Sequence, residues 1–176
     1  MSGLSLKRDE RLRQQRRPSR LGRATAEKAL AEFLERVKQV NEDTYFLAKA
    51  TRVVLFGSML KPEVERLSDV DLAVELVSKE VDRDLAGLKN RQRAEDLADQ
   101  GRGFRNSLEW AAVWYLEAFR YLKGGSRVIS LAHYSAEKTF VLAVPHRFLI
   151  GEPEQIAAPT ASRPVPRQRR PRGCPF

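Results

Sequence analysis

The sequence predicts a mixed α/β (α+β) fold in which a mixed β-sheet is flanked by helices, and three observations carry that expectation. An apolar run, Val53-Val54-Leu55-Phe56, stops at Gly57-Ser58 as a buried strand entering a turn would. A second segment alternates, with Val70, Leu72, Val74 and Leu76 on one face and Asp69 and Asp71 on the other. Stretches with helical apolar spacing lie before, between and after these strands.

Taken in order, Thr25 is placed to cap a first helix whose stripe is Leu30, Phe33, Leu34, Val37 and Val40. The strands Val53 to Phe56 and Val70 to Leu76 follow. Ser78 reads as the N-cap of a helix running to about Gln100, with Val81, Leu85 and Leu88 facing inward, and Gly101 and Gly103 interrupt it. The next helix carries Phe104, Leu108, Ala112, Tyr115, Phe119 and Leu122, with Trp110 and Trp114 on an adjacent face, and stops at Gly124-Gly125. Strands at Val128 to Tyr134 and Phe140 to Val144, and a short one at Arg147 to Ile150, complete the expected pattern.

The chemistry concentrates at Gly57, Ser58, Asp69 and Asp71. Side chains two apart on a strand project together, about 7 Å apart at roughly 3.3 Å per residue, so the two carboxylates repel unless a cation lies between them. Mg²⁺ takes one or two carboxylates and completes its shell with phosphate oxygens and water, which suits such a pair beside a phosphate loop. Gly57 permits close backbone approach or positive φ, and Ser58 adds a hydroxyl donor to N–H groups that attract phosphate. Eleven residues, Ser58 to Ser68, separate Gly57 from Asp69, room for a short helix and a return to a neighbouring strand. Asp69 alone fits ordinary turn chemistry. Asp71 does not, because a carboxylate inside an apolar strand costs stability unless a cation or donor compensates.

Phe56-Gly57-Ser58 and Asp69-Val70-Asp71-Leu72 resemble the minimal nucleotidyltransferase domains of the polymerase-beta-like superfamily, whose pattern is an apolar strand, Gly-Ser, a connector, then Asp-apolar-Asp-apolar. The resemblance covers about two dozen residues directly. It implies that Gly57 and Ser58 hold nucleotide phosphates and that Asp69 and Asp71 bind Mg²⁺ and are catalytic. It also implies a nucleoside triphosphate substrate, with ATP the expected one, from which a nucleoside monophosphate passes to a protein, nucleic-acid or small-molecule acceptor. The family usually carries a third carboxylate on a later strand. At the corresponding place, between Ile129 and Leu131, this sequence has Ser130. His133 and Glu137 are possible substitutes, each with a plainer structural or surface reading, whereas Glu75 shares the face of the Asp pair but lies about 13 Å beyond Asp71 by strand rise, too far to join the same metal shell. His146 reads as structural, and two histidines without helical spacing argue against a zinc site. Lys61 and Arg127 could steady phosphates but are ordinary surface cations.

Charge divides the chain. Residues 1–23 hold eight basic and two acidic residues, and residues 160–176 hold five Arg, no acid and four Pro, so of a net charge of +9 the tails carry +6 and +5 and residues 24–159 carry −2. Such composition predicts two disordered basic tails around one domain at 24–159, which the resemblance implies is nucleotidyltransferase-like. Arg-rich arms on a near-neutral core suit nucleic acid or an acidic protein partner through counterion release. No aromatic residue interleaves the N-terminal cations, so base stacking is not indicated there. The longest apolar runs fall far short of the roughly 20 residues of a membrane span, and a single Cys174 forms no internal disulfide, so a cytoplasmic protein is expected. A catalytically inactive adaptor of the same fold, binding nucleic acid or a protein through its tails, is the alternative that Ser130 raises.

Overall fold

The computed structural model describes residues 21–152. In chain order the elements are β1 (Leu21–Gly22), α1 (Arg23–Glu42), β2 (Ala48–Phe56), a 3₁₀ turn (Gly57–Leu60), β3 (Arg66–Leu67), β4 (Val70–Ser78), α2 (Arg83–Asp99), α3 (Ser107–Ala111), α4 (Val113–Lys123), β5 (Ile129–His133), α5 (Tyr134–Ala143) and β6 (His146–Ile150). The main sheet has the order β5-β4-β2-β6, with β4 parallel to β5 and the other neighbours antiparallel. A parallel pair needs a long crossover, and α2 to α4 provide it. A two-stranded ribbon of β1 and β3 stands apart.

The alternation read from β4 sets the layers. Val70, Leu72, Val74 and Leu76 are at most 7% exposed and join Phe33, Val37 and Val40 of α1, Val53 and Leu55 of β2, and Ala118 and Leu122 of α4 in the main core. Burying a Leu or Phe of this kind contributes about 1.5–3 kcal/mol. The opposite face of the sheet holds Val54, Phe56 and Ala73 under Tyr134 and Val141 of α5. The sheet thus lies between α1 with α4 on one side and α5 on the other. Asn41 of α1 fixes the β2 bulge between Ala50 and Arg52, accepting from the Ala50 N–H at 2.7 Å and donating to its carbonyl at 3.1 Å.

Several local expectations are corrected. The first helix begins at Arg23, capped by Gly22 without a side-chain bond, so Thr25 lies inside it. Leu21 to Arg23, expected as tail, belong to the fold, because β1 pairs with β3 and Arg23 bonds the connector. The remainder of the predicted tails, and the domain's expected end at residue 159, lie outside the described residues. Ser78 closes β4, and Asp82 caps α2 by accepting from Asp84 and Leu85 N–H groups. Val81, Leu85 and Leu88 are 93%, 41% and 59% exposed; α2 buries Asn90, Ala94 and Leu97 instead. Asn90 decides this face, since its amide donates to Ala111 O at 3.1 Å and accepts from Trp114 N–H at 2.9 Å, tying α2 to α3 and α4. The helix expected from Phe104 is divided at Ala112, and Phe104 precedes it. Phe140 to Val144, expected as a strand, falls largely within α5, where Tyr134 and Val141 supply the buried stripe.

Candidate nucleotide and metal site

β4 and β2 bring the two motifs together. Phe56, the last residue of β2, pairs with Asp71, so the chain turns at Gly57 directly beside that carboxylate. Gly57 has φ +81°, and a Cβ built on it would stand 2.7 Å from Asp71 Oδ2. A side chain at this position would meet both a strained backbone and an occupied space. The Gly57 N–H donates to Pro145 O at 3.2 Å, which fixes the corner from the far end of α5.

Ser58 enters the 3₁₀ turn, and its Oγ is covered with no hydrogen-bond partner among the described residues. A buried hydroxyl without a partner is an exception in folded proteins and marks a place where a further polar group would be accommodated. Asp69 immediately precedes β4, whose first residue donates from Val70 N–H to Val128 O at 2.8 Å, and Ser68 Oγ donates to Asp69 Oδ1 at 2.6 Å.

The connector is held by a residue that the sequence reading placed in the tail. Arg23 donates through Nη1 to Met59 O at 3.2 Å and through Nη2 to Lys61 O at 2.6 Å and Val64 O at 2.9 Å. One guanidinium thus gathers three carbonyls between Gly57 and Asp69, with β1 pairing to β3 alongside. Its position among seven other basic residues of 1–23 gives no sequence signal of that role.

Burial, and then the charge of Asp69, push the Asp71 carboxyl above its ordinary value. A cation between the two carboxylates would reverse both effects. The donor set is two carboxylates and a hydroxyl, all hard oxygens of the kind Mg²⁺ takes. Among the described residues no group of three or more His, Cys, Asp or Glu could hold a metal. An ion here would therefore complete its shell from substrate phosphate and water, as Mg²⁺ commonly does. The donor chemistry and the unpartnered Ser58 hydroxyl fit such a group.

Ser130 pairs with Asp71 across β5, so the strand position expected to bear a third carboxylate is beside the couple and bears a hydroxymethyl. His133 pairs with Val74 and turns to the other face, its ring stacked on Tyr115 and Phe119 at centroid distances of 4.8 and 4.6 Å and bonded to the Tyr115 hydroxyl. Burial pushes the Tyr115 hydroxyl upward. Glu75 forms an ion pair with Arg52, its cross-strand partner on β2. His146 Nδ1 lies 2.9 Å from Val144 O, while Lys61, Arg127 and Glu137 are exposed. None of the weighed substitutes joins Asp69 and Asp71.

No helix of the described residues is long and apolar enough to cross a membrane. No curated protein and no solved structure matches the chain. Residues 28–110, which include Gly57, Ser58, Asp69 and Asp71, match the family model of the nucleotidyltransferase domain.

Proposed function

We propose that the chain moves a nucleoside monophosphate from a nucleoside triphosphate, ATP foremost, to a protein, nucleic-acid or small-molecule acceptor. Asp69 and Asp71 hold Mg²⁺, and Gly57 and Ser58 receive the phosphates. The observation that supports this most is the contact of the glycine corner with the acidic couple, where the space a Cβ would fill opens directly on Asp71 Oδ2. When bound, Mg²⁺ supplies neutralisation of phosphate charge and of the departing pyrophosphate.

The chain's own residues contribute position and charge. The Ser58 hydroxyl has no partner among the described residues to give up in bonding a phosphate oxygen. β4 carries Asp71 and begins directly after Asp69, and the Pro145 carbonyl and the Arg23 guanidinium keep the corner and connector in place around them. Positioning of this kind is the main protein contribution to phosphoryl and nucleotidyl transfer. The basic segments 1–20 and 160–176 then serve as arms for a polyanionic partner around a cytoplasmic domain that begins at Leu21.

Ser130 beside Asp71 favours a second reading, an inactive member of the fold that acts as an adaptor through its arms. Incubating the purified chain with α-labelled nucleoside triphosphates and Mg²⁺ or Mn²⁺ separates the two. Label transfer or pyrophosphate release that disappears in Asp69→Ala/Asp71→Ala supports the enzyme. Absence of turnover, with salt-sensitive polyanion binding lost on removal of both tails, supports the adaptor.

A further inference from the structure

A cavity of about 770 Å³ opens between α1, α4 and the loop at Arg102, in the helical layer on the opposite side of the sheet from Asp71. Its volume is that of a small-molecule site, for which about 300–1,000 Å³ is usual. We infer that this cavity is a second anion site, built for a ligand of nucleoside-monophosphate size with one phosphate and one aromatic ring.

Charge is the first argument. The Arg102 guanidinium lines the cavity with no hydrogen-bond or ion-pair partner among the described residues; its Cζ lies 5.2 Å from the Phe104 ring centroid and its covered Nη2 is unpaired. Arg36 spends its Nε on the Leu122 carbonyl at 3.0 Å and has no carboxylate partner among the described residues. Guanidinium groups held against protein without an anion are costly, and a docked phosphate removes that cost with two-pronged hydrogen bonds. The acids nearby are already committed. Glu117 takes Arg93 at 2.9 and 3.1 Å and the Tyr45 hydroxyl at 3.2 Å. Asp43 accepts the Tyr45 N–H at 2.8 Å, with Lys79 Nζ 2.6 Å from its carbonyl. Arg120 is paired with Glu109.

Shape is the second. Gly124, at φ +57°, lies so close to Arg36 that a Cβ there would stand 3.1 Å from its Cζ, so the helix end seats this guanidinium. Tyr45 and Tyr121 flank the buried Phe46 ring and remain 50% and 39% exposed. The Tyr121 hydroxyl donates to Gln39, which fixes its ring as a wall. Arg93 already lies 4.0 Å over the Tyr45 ring, so the exposed, oriented Tyr121 is the ring that suits a base beside a phosphate on the uncompensated arginines.

The test is isothermal titration of the full-length Asp69→Ala/Asp71→Ala chain with AMP, inorganic phosphate and adenosine in EDTA. This background and EDTA remove the first site's proposed metal ligands and metal, and the Arg102 variant distinguishes binding in the cavity from any left at Gly57 and Ser58. The expected result is one AMP per chain, bound more tightly than either phosphate or adenosine, with affinity falling about tenfold or more in Arg102→Gln. Arg102→Lys is expected to retain part of the affinity, and Arg169→Gln in the C-terminal segment to retain all of it. AMP binding unchanged by Arg102→Gln, lost equally with Arg169→Gln, or no tighter than adenosine or phosphate alone would overturn the assignment.

Discussion

Gly57→Ala is the sharpest perturbation of the candidate site, because two independent quantities bear on one methyl group. The backbone at φ +81° disfavours any L side chain, by about 1–2 kcal/mol. The new Cβ would also stand 2.7 Å from Asp71 Oδ2, where ordinary contact begins at 3.4 Å. Rotation of the carboxylate relieves the overlap but takes Asp71 off its position, so function falls more than stability. Gly87→Ala is the matched control, since Gly87 lies in α2 with open space around it. There the substitution is expected to stabilise by about 0.5–1 kcal/mol. Urea unfolding of both variants, with nucleotidyl transfer measured in parallel, reads the two effects. Equal stability of Gly57→Ala and wild type, with transfer unaltered, would refute the argument that the corner and the couple form one site.

Arg23→Ala removes the clamp on three carbonyls and is expected to cost about 1–2 kcal/mol, given hydrogen bonds from a charged donor that is partly solvated; faster hydrogen exchange across residues 57–69 is the direct readout. Asp71 has its proton affinity raised by folding, so its contribution to stability is complete below its ordinary value of 3.8 and is lost as pH rises through the higher folded value. Asp71→Asn therefore flattens the acid-side pH dependence of unfolding, and Mg²⁺ raises the melting temperature of wild type but not of the variant. Ser130→Asp places a third carboxylate beside Asp71. Without metal it is expected to cost about 0.5–1 kcal/mol through like-charge repulsion across the strands, while Mg²⁺-dependent transfer increases; a rate no higher than wild type with metal bound counts against the strand position as the catalytic one.

The parts of the fold legible in the sequence are those where one periodicity dominates. Val70 to Leu76 alternate cleanly, so the strand and its buried face could both be read from it. The stripe Phe33, Val37 and Val40 did the same for α1. Two regions were misread because local propensity and tertiary packing disagree. Phe140 to Val144 reads as a strand, but the segment lies largely within α5, where Tyr134 and Val141 stand two helical turns apart and bury one face against Val54 and Ala73. In α2 the apolar Val81, Leu85 and Leu88 pointed to an inward face that the helix does not use, because a polar residue, Asn90, supplies the hydrogen bonds joining it to α3 and α4. Arg23 and Pro145 were beyond reach for another reason. Each acts on the corner or connector through long-range backbone bonds, which leave no trace in spacing or composition.

The bond from Gly57 to Pro145 ties the tip of a central strand to the residue just before β6, an outer strand of the sheet. The stretch that matches the nucleotidyltransferase domain ends at residue 110, well short of that latch. Trimming the polypeptide to the matched stretch would thus keep Ser58 and both aspartates yet discard what restrains the turn between them. Conversely, a tug on the rim of the sheet at β6 would be transmitted straight to the phosphate corner.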